Sequence, residues 1–92
     1  MADNYLTIVK TFVRKNGLRN IISVHTMGLS PNRINYIVET KEEPKEEAIR
    51  EILTKDISFS ISKNDDDNFI GVFVLPNSME NIEIVEKALL VY

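Results

Sequence analysis

Apolar residues recur along this chain at two periods, one helical and one extended. Tyr5, Ile8, Val9, Phe12 and Val13 follow the i, i+3, i+4, i+7, i+8 spacing of one helical face, which predicts a helix over residues 4–16. Asn4 or Asp3 is placed to cap its start, and Lys10, Arg14 and Lys15 suit its negative C-terminal end. Asn16-Gly17 is a stop, with Gly17 in the left-handed position and Leu18 folding back. The β-branched content of the same stretch (Thr7, Ile8, Val9, Thr11, Val13) fits a strand, so the helix rests on its period and its end signals.

Residues 20–26 read as a strand, with Ile22, Val24 and Thr26 on one face and Ile21, Ser23 and His25 on the other. Turn residues fill 27–32, and a second strand over 33–39 places Ile34, Tyr36 and Val38 on one face. Residues 43–54 form the next helix, with Pro44 at its first position and Glu42, Glu43, Glu46 and Glu47 at its positive end. Its apolar stripe is Ala48, Ile49, Ile52 and Leu53, and Glu46–Arg50 and Glu51–Lys55 are i, i+4 pairs. Residues 57–62 alternate strictly, with Ile57, Phe59 and Ile61 inward and Ser58, Ser60 and Ser62 outward. Residues 64–68 make a polar hairpin tip, and 69–75 are apolar on both faces until Pro76. Asn77 with Glu80 resembles a capping box, and a last helix turns Met79, Ile82, Val85 and Leu89 inward.

The order is therefore α-β-β-α-β-β-α. Two hairpins separated by a helix predict an α+β two-layer sandwich over residues 1–92, a ferredoxin-like sheet or a permuted variant of one, with four antiparallel strands covered mainly on one face by helices. The second apolar face of 69–75 needs its own cover, from the third helix or from a second subunit, and a homodimer is expected on that ground.

Composition narrows the function classes. A chain of 92 residues, 43% hydrophobic and 27% charged, has material for one core and is not a disordered segment. The absence of cysteine removes disulfides, thiolate metal sites and thiol nucleophiles. The longest apolar run, Phe69 to Leu75, is too short to cross a bilayer, and residues 1–5 lack the features of a secretory signal, so a cytoplasmic location is expected. Charge is polarised: residues 1–38 hold five basic groups and one acid, net +4, and residues 39–92 hold six basic groups and 13 acids, net −7. Such asymmetry suits an anion site or the attraction of unlike surfaces.

The stretch from Asn4 to Leu53 resembles part of an ACT domain, a regulatory module of amino-acid metabolism. The likeness lies in a helix ending Lys15-Asn16-Gly17-Leu18, a strand Ile21-Ile22-Ser23-Val24, a strand Ile34-Asn35-Tyr36-Ile37-Val38, and an acidic lead into a helix around Ala48-Ile49. The resemblance implies a regulatory role. It departs from the ACT pattern in lacking the first strand and the glycine loop that commonly contributes to the ligand site, so no binding residue is carried over.

The candidate ligand site is the connection after the first strand: His25, Thr26, Gly28, Ser30 and Arg33, which gathers hydroxyls, a flexible glycine and a guanidinium able to hold a carboxylate or phosphate. His25, the sole histidine, has no nucleophile motif around it. The consecutive acids Asp65–Asp67 lack the spacing of a calcium loop, and no cofactor motif appears. Lys10, Arg14, Lys15 and Arg19 are basic but carry no interleaved aromatic residues, which argues against nucleic acid. The expected function is a non-enzymatic binding or regulatory domain acting through protein contacts or a small anionic ligand. The alternatives are an acidic interaction protein that inhibits or adapts a larger partner through residues 39–67, and an enzyme with an inter-subunit site around His25 and Arg33.

Overall fold

The computed structural model describes residues 5–27 and 30–92. The expected cap at Asn4 or Asp3, and Gly28 of the expected ligand loop, lie outside the described residues. The chain runs α1 (Tyr5–Lys15), β1 (Ile21–Thr26), β2 (Arg33–Thr40), α2 (Glu46–Ile52), β3 (Ser58–Lys63), β4 (Phe69–Pro76) and α3 (Met79–Leu89). The strands form one antiparallel sheet in the order β1-β2-β4-β3, which gives the two-layer α+β sandwich that the periods predict. No helix among the described residues is long and apolar enough to cross a membrane.

Residues 5–15 are helical because the amphipathic period outweighs the β-branched content: the face bearing Val9 is buried against the sheet. The helix ends as its sequence predicts. Gly17 sits at φ 62, its N–H donates to the Arg14 carbonyl, and the Leu18 N–H donates to the Val13 carbonyl at 3.2 Å. Those paired bonds close the last turn and fold Leu18 back onto the core.

The core lies between the sheet and the three helices. Ile34, Tyr36 and Val38 of β2, Phe59 of β3, and Phe73 and Leu75 of β4 meet Val9 of α1, Ile49 of α2, and Ile82, Val85, Ala88 and Leu89 of α3. Helix α3 is central, touching α1, α2 and β4, while α1 lies on β1. Arg50 of α2 stands over the Phe59 ring of β3, 5.6 Å from its centroid. The chain closes with Tyr92, whose ring meets Phe59 and Phe73 at centroid distances of 6.5 and 6.3 Å. A side chain at Gly71 would overlap the Tyr92 hydroxyl, so only glycine lets the C-terminal ring lie against β4.

Four local expectations are corrected. Ile21, not Ile22, joins Val24 on the core face; Ile22 is 45% exposed. The cause is an irregularity in pairing between Ile21 and Ser23, where the extra residue shifts the alternation by one. Helix α2 starts at Glu46 rather than Glu43, because Lys45 is non-helical at φ −83, ψ 85, which leaves the buried Pro44 ahead of the helix. The cap of α3 is Ser78, whose hydroxyl accepts from the Asn81 N–H at 3.2 Å; Asn77 instead joins the β2 approach, its N–H donating to the Asn32 carbonyl. Met79, at the first position of α3, is exposed rather than inward.

Candidate functional site

The sheet has one covered and one uncovered face. Side chains alternate, so the residues between the core positions point away from the helices. On that open face Ile37 of β2 lies beside Val72 of β4, with Ile70 and Val74 along the same strand; all four are half-buried. The exposed serines Ser58 and Ser60 of β3 pair with Val74 and Val72 on one side, and His25 of β1 pairs with Ile37 on the other. Helix α3 does not cover this apolar row, because its buried residues belong to the core layer.

One end of the open face is polar and well bonded. The Glu39 carboxylate accepts from Asn68 Nδ2 at 2.8 Å, from Asn64 Nδ2 at 2.9 Å and from Ser23 Oγ at 3.3 Å. Asn68 first, then Asn64, hold its pKa below the ordinary carboxylate range by stabilising the ionised form. The hairpin tip makes this possible: Asn64 Oδ1 accepts from the Asp66 and Asn68 N–H groups, and Asp67 takes the left-handed position at φ 68. Nothing in sequence order joins residues 23, 39, 64 and 68, and the sequence reading missed this cluster.

A concavity lies elsewhere, between α1 and the edge strand β1. It is an open groove of about 290 Å³ whose lining includes Lys10, Val13 and Arg14 from the helix and every residue from Ile21 to His25 from the strand. Five consecutive strand residues can line one groove only along a strand's edge, where backbone and side chains are both presented. Lys10 and Arg14 are four apart and therefore share a flank of α1. Helix α1 carries Lys10, Arg14 and Lys15 and no acid. Among the described residues the ion pairs are Glu46–Arg50 and Lys63–Asp67, so neither Lys10 nor Arg14 is neutralised by a described partner, and the expected Glu51–Lys55 pair is not formed. The groove thus combines two cations that have no ion-pair partner among the described residues with an apolar floor of Val13, Ile21 and Ile22, the arrangement for an anionic group attached to an apolar body.

The expected ligand residues are not brought together at this groove. His25 lines it. Thr26 pairs with Tyr36 at the far end of β1, while Ser30 and Arg33 are exposed and form a small bridge of their own, the Arg33 N–H donating to the Ser30 carbonyl at 3.3 Å. Lys10 and Arg14 are legible in the sequence as basic residues of the first helix, but their apolar counterpart on β1 depends on tertiary packing. Among the described residues no group of three or more acids or histidines is arranged to hold a metal ion.

The chain matches no family model, and comparison with curated proteins and with solved structures gives no match.

Proposed function

We propose that this chain is a non-enzymatic binding domain that receives an anionic ligand in the groove between α1 and β1. The observation that carries the reading is the pair Lys10 and Arg14, unneutralised by any described residue and standing beside an apolar hollow at an open strand edge. Cations left free next to apolar surface attract a carboxylate and bury its apolar body at the same time. A regulatory role of the ACT kind, a ferredoxin-like sheet in permuted order and a cytoplasmic location go with this proposal. Their support is the residue pattern of Asn4–Leu53, the order β1-β2-β4-β3 with β4 inside the sheet, and the cysteine-free composition.

The test uses N-acetyl-leucine, a carboxylate on an apolar side chain, and its neutral amide. The carboxylate binds weakly, with a Kd of roughly millimolar order, and shifts the NMR amide signals of residues 21–25. The amide does not, and the double reversal Lys10→Glu/Arg14→Glu abolishes the shifts. Equal response to both probes, or to neither, overturns the reading.

A second reading, self-association, is favoured by the uncovered row Ile37, Ile70, Val72 and Val74. Apolar surface on the solvent side of a sheet is what a symmetric partner covers.

A further inference from the structure

We propose that the α1–β1 groove takes an extended acidic peptide segment, which pairs with β1 as a fifth strand of the sheet. The proposal rests on the groove being an anion-binding surface and names the class of partner that brings the anion.

The backbone of β1 carries hydrogen-bonding groups that β2 does not use. The Met27 N–H donates to the Asn35 carbonyl at 3.4 Å, and His25 stands opposite Ile37. In an antiparallel pair, hydrogen-bonded and non-bonded positions alternate. Met27 and His25 therefore turn their peptide groups to β2, and Val24 and Thr26 turn theirs outward, away from the sheet. No side chain among the described residues bonds to those outward groups.

The opposite edge of the sheet is capped at one position. The Asn64 N–H donates to the Asn68 carbonyl at 3.0 Å, so by the same alternation Phe59 turns its carbonyl outward from β3. Arg50 Nη2 donates to that carbonyl at 2.7 Å, and Glu46 holds the guanidinium in place at 2.7 Å. The fold thus caps the start of one exposed edge with a side chain and leaves the other uncapped, next to a groove lined by Lys10 and Arg14. Exposed edges invite strand addition, and among the described residues a side-chain cap on an outward strand group is found at β3 and not at β1.

The chemistry of the groove sets the identity of the added strand. Its side chains alternate, and those turned to the helix side meet Lys10 and Arg14, which demands acids. The hollow over Val13 and Ile22 accepts one apolar side chain among them. A single-stranded nucleic acid is also an anionic extended chain, but it needs aromatic platforms for its bases, and no Phe, Tyr or Trp lines the groove.

The probe is a short synthetic peptide in which Glu alternates with Thr around one central Leu. Its counterparts carry Lys for Glu, or N-methyl groups on alternate peptide nitrogens. The acidic peptide binds, slows hydrogen exchange at the Val24 and Thr26 amides, and weakens roughly tenfold or more in Lys10→Glu/Arg14→Glu and in high salt. Arg50→Ala, at the other edge, leaves this affinity unchanged. The Lys and N-methyl peptides fail to bind. The proposal is overturned if the N-methyl peptide binds as well as the parent, if an oligo-dT strand binds more tightly, or if the acidic peptide does not bind. N-acetyl-leucine run in parallel separates the two levels: binding of that carboxylate without the peptide removes only the strand-addition proposal, and binding of neither removes the anion groove as well.

Discussion

Glu39 shows how much one residue owes to partners that its sequence neighbourhood does not hold. Two amides from the 64–68 tip and a serine from β1 converge on its carboxylate and keep it ionised. The sign of the linkage follows. A carboxylate whose pKa is lower in the folded chain than its ordinary 4.5 contributes stability above that value and loses it as the pH falls through the folded value. Glu86 runs the other way: burial, then Glu83, raises it, so the folded chain holds that proton more tightly. Carboxyl-carbon NMR titration will therefore place Glu39 below and Glu86 above an ordinary glutamate. Asn68→Ala will move Glu39 up and leave Glu86 where it was. A Glu39 that titrates normally in the unaltered chain contradicts the hydrogen-bond geometry.

Single elements were legible wherever period and end signals are local. The spacing from Tyr5 to Val13, the stop at Gly17 and the alternation through Phe59 all survive in the structure because each is decided within a few residues. The start of α3 was misplaced by one residue, since Asn77 and Ser78 are both good caps and the choice between them is tertiary. Asn77 is drawn off by the backbone at Asn32 and, through its side chain, by the Pro31 carbonyl at 3.3 Å. Ser78→Ala is accordingly expected to cost about 1 kcal/mol in urea unfolding, the usual loss of a helix cap. Asn77→Ala should leave the helicity of α3 unchanged, and a larger helical loss there than in Ser78→Ala would reverse the assignment. The faces of β1 were unreadable for a different reason. The irregularity at Ile21–Ser23 exists only as a mismatch with β2, and it sends Ile22 out toward the groove.

At the scale of the whole molecule, all three helices lie on one layer of a sheet whose central strand β4 is apolar on both faces. This predicts opposite outcomes at adjacent residues. Phe73 is fully buried in the core, and Phe73→Glu leaves a charge there without a partner, which prevents folding. Val72 faces the open side, and Val72→Glu remains folded but loses any self-association seen in the unaltered chain by light scattering at high concentration. Unfolding of Val72→Glu would mean that the open face is part of the core. The charge polarity read from the sequence likewise acquires a place: the basic half supplies α1 beside β1, and Arg50 from the acidic half, held by Glu46, caps the Phe59 carbonyl on the β3 edge. By itself the sequence determined the number and kind of elements, their order and most inward residues, because hydrophobic period is a property of neighbours along the chain. Only the tertiary structure decided which face stays open, which edge is capped, and that Lys10 and Arg14 meet the apolar edge of β1, because strand order and register depend on contacts between segments far apart in the chain.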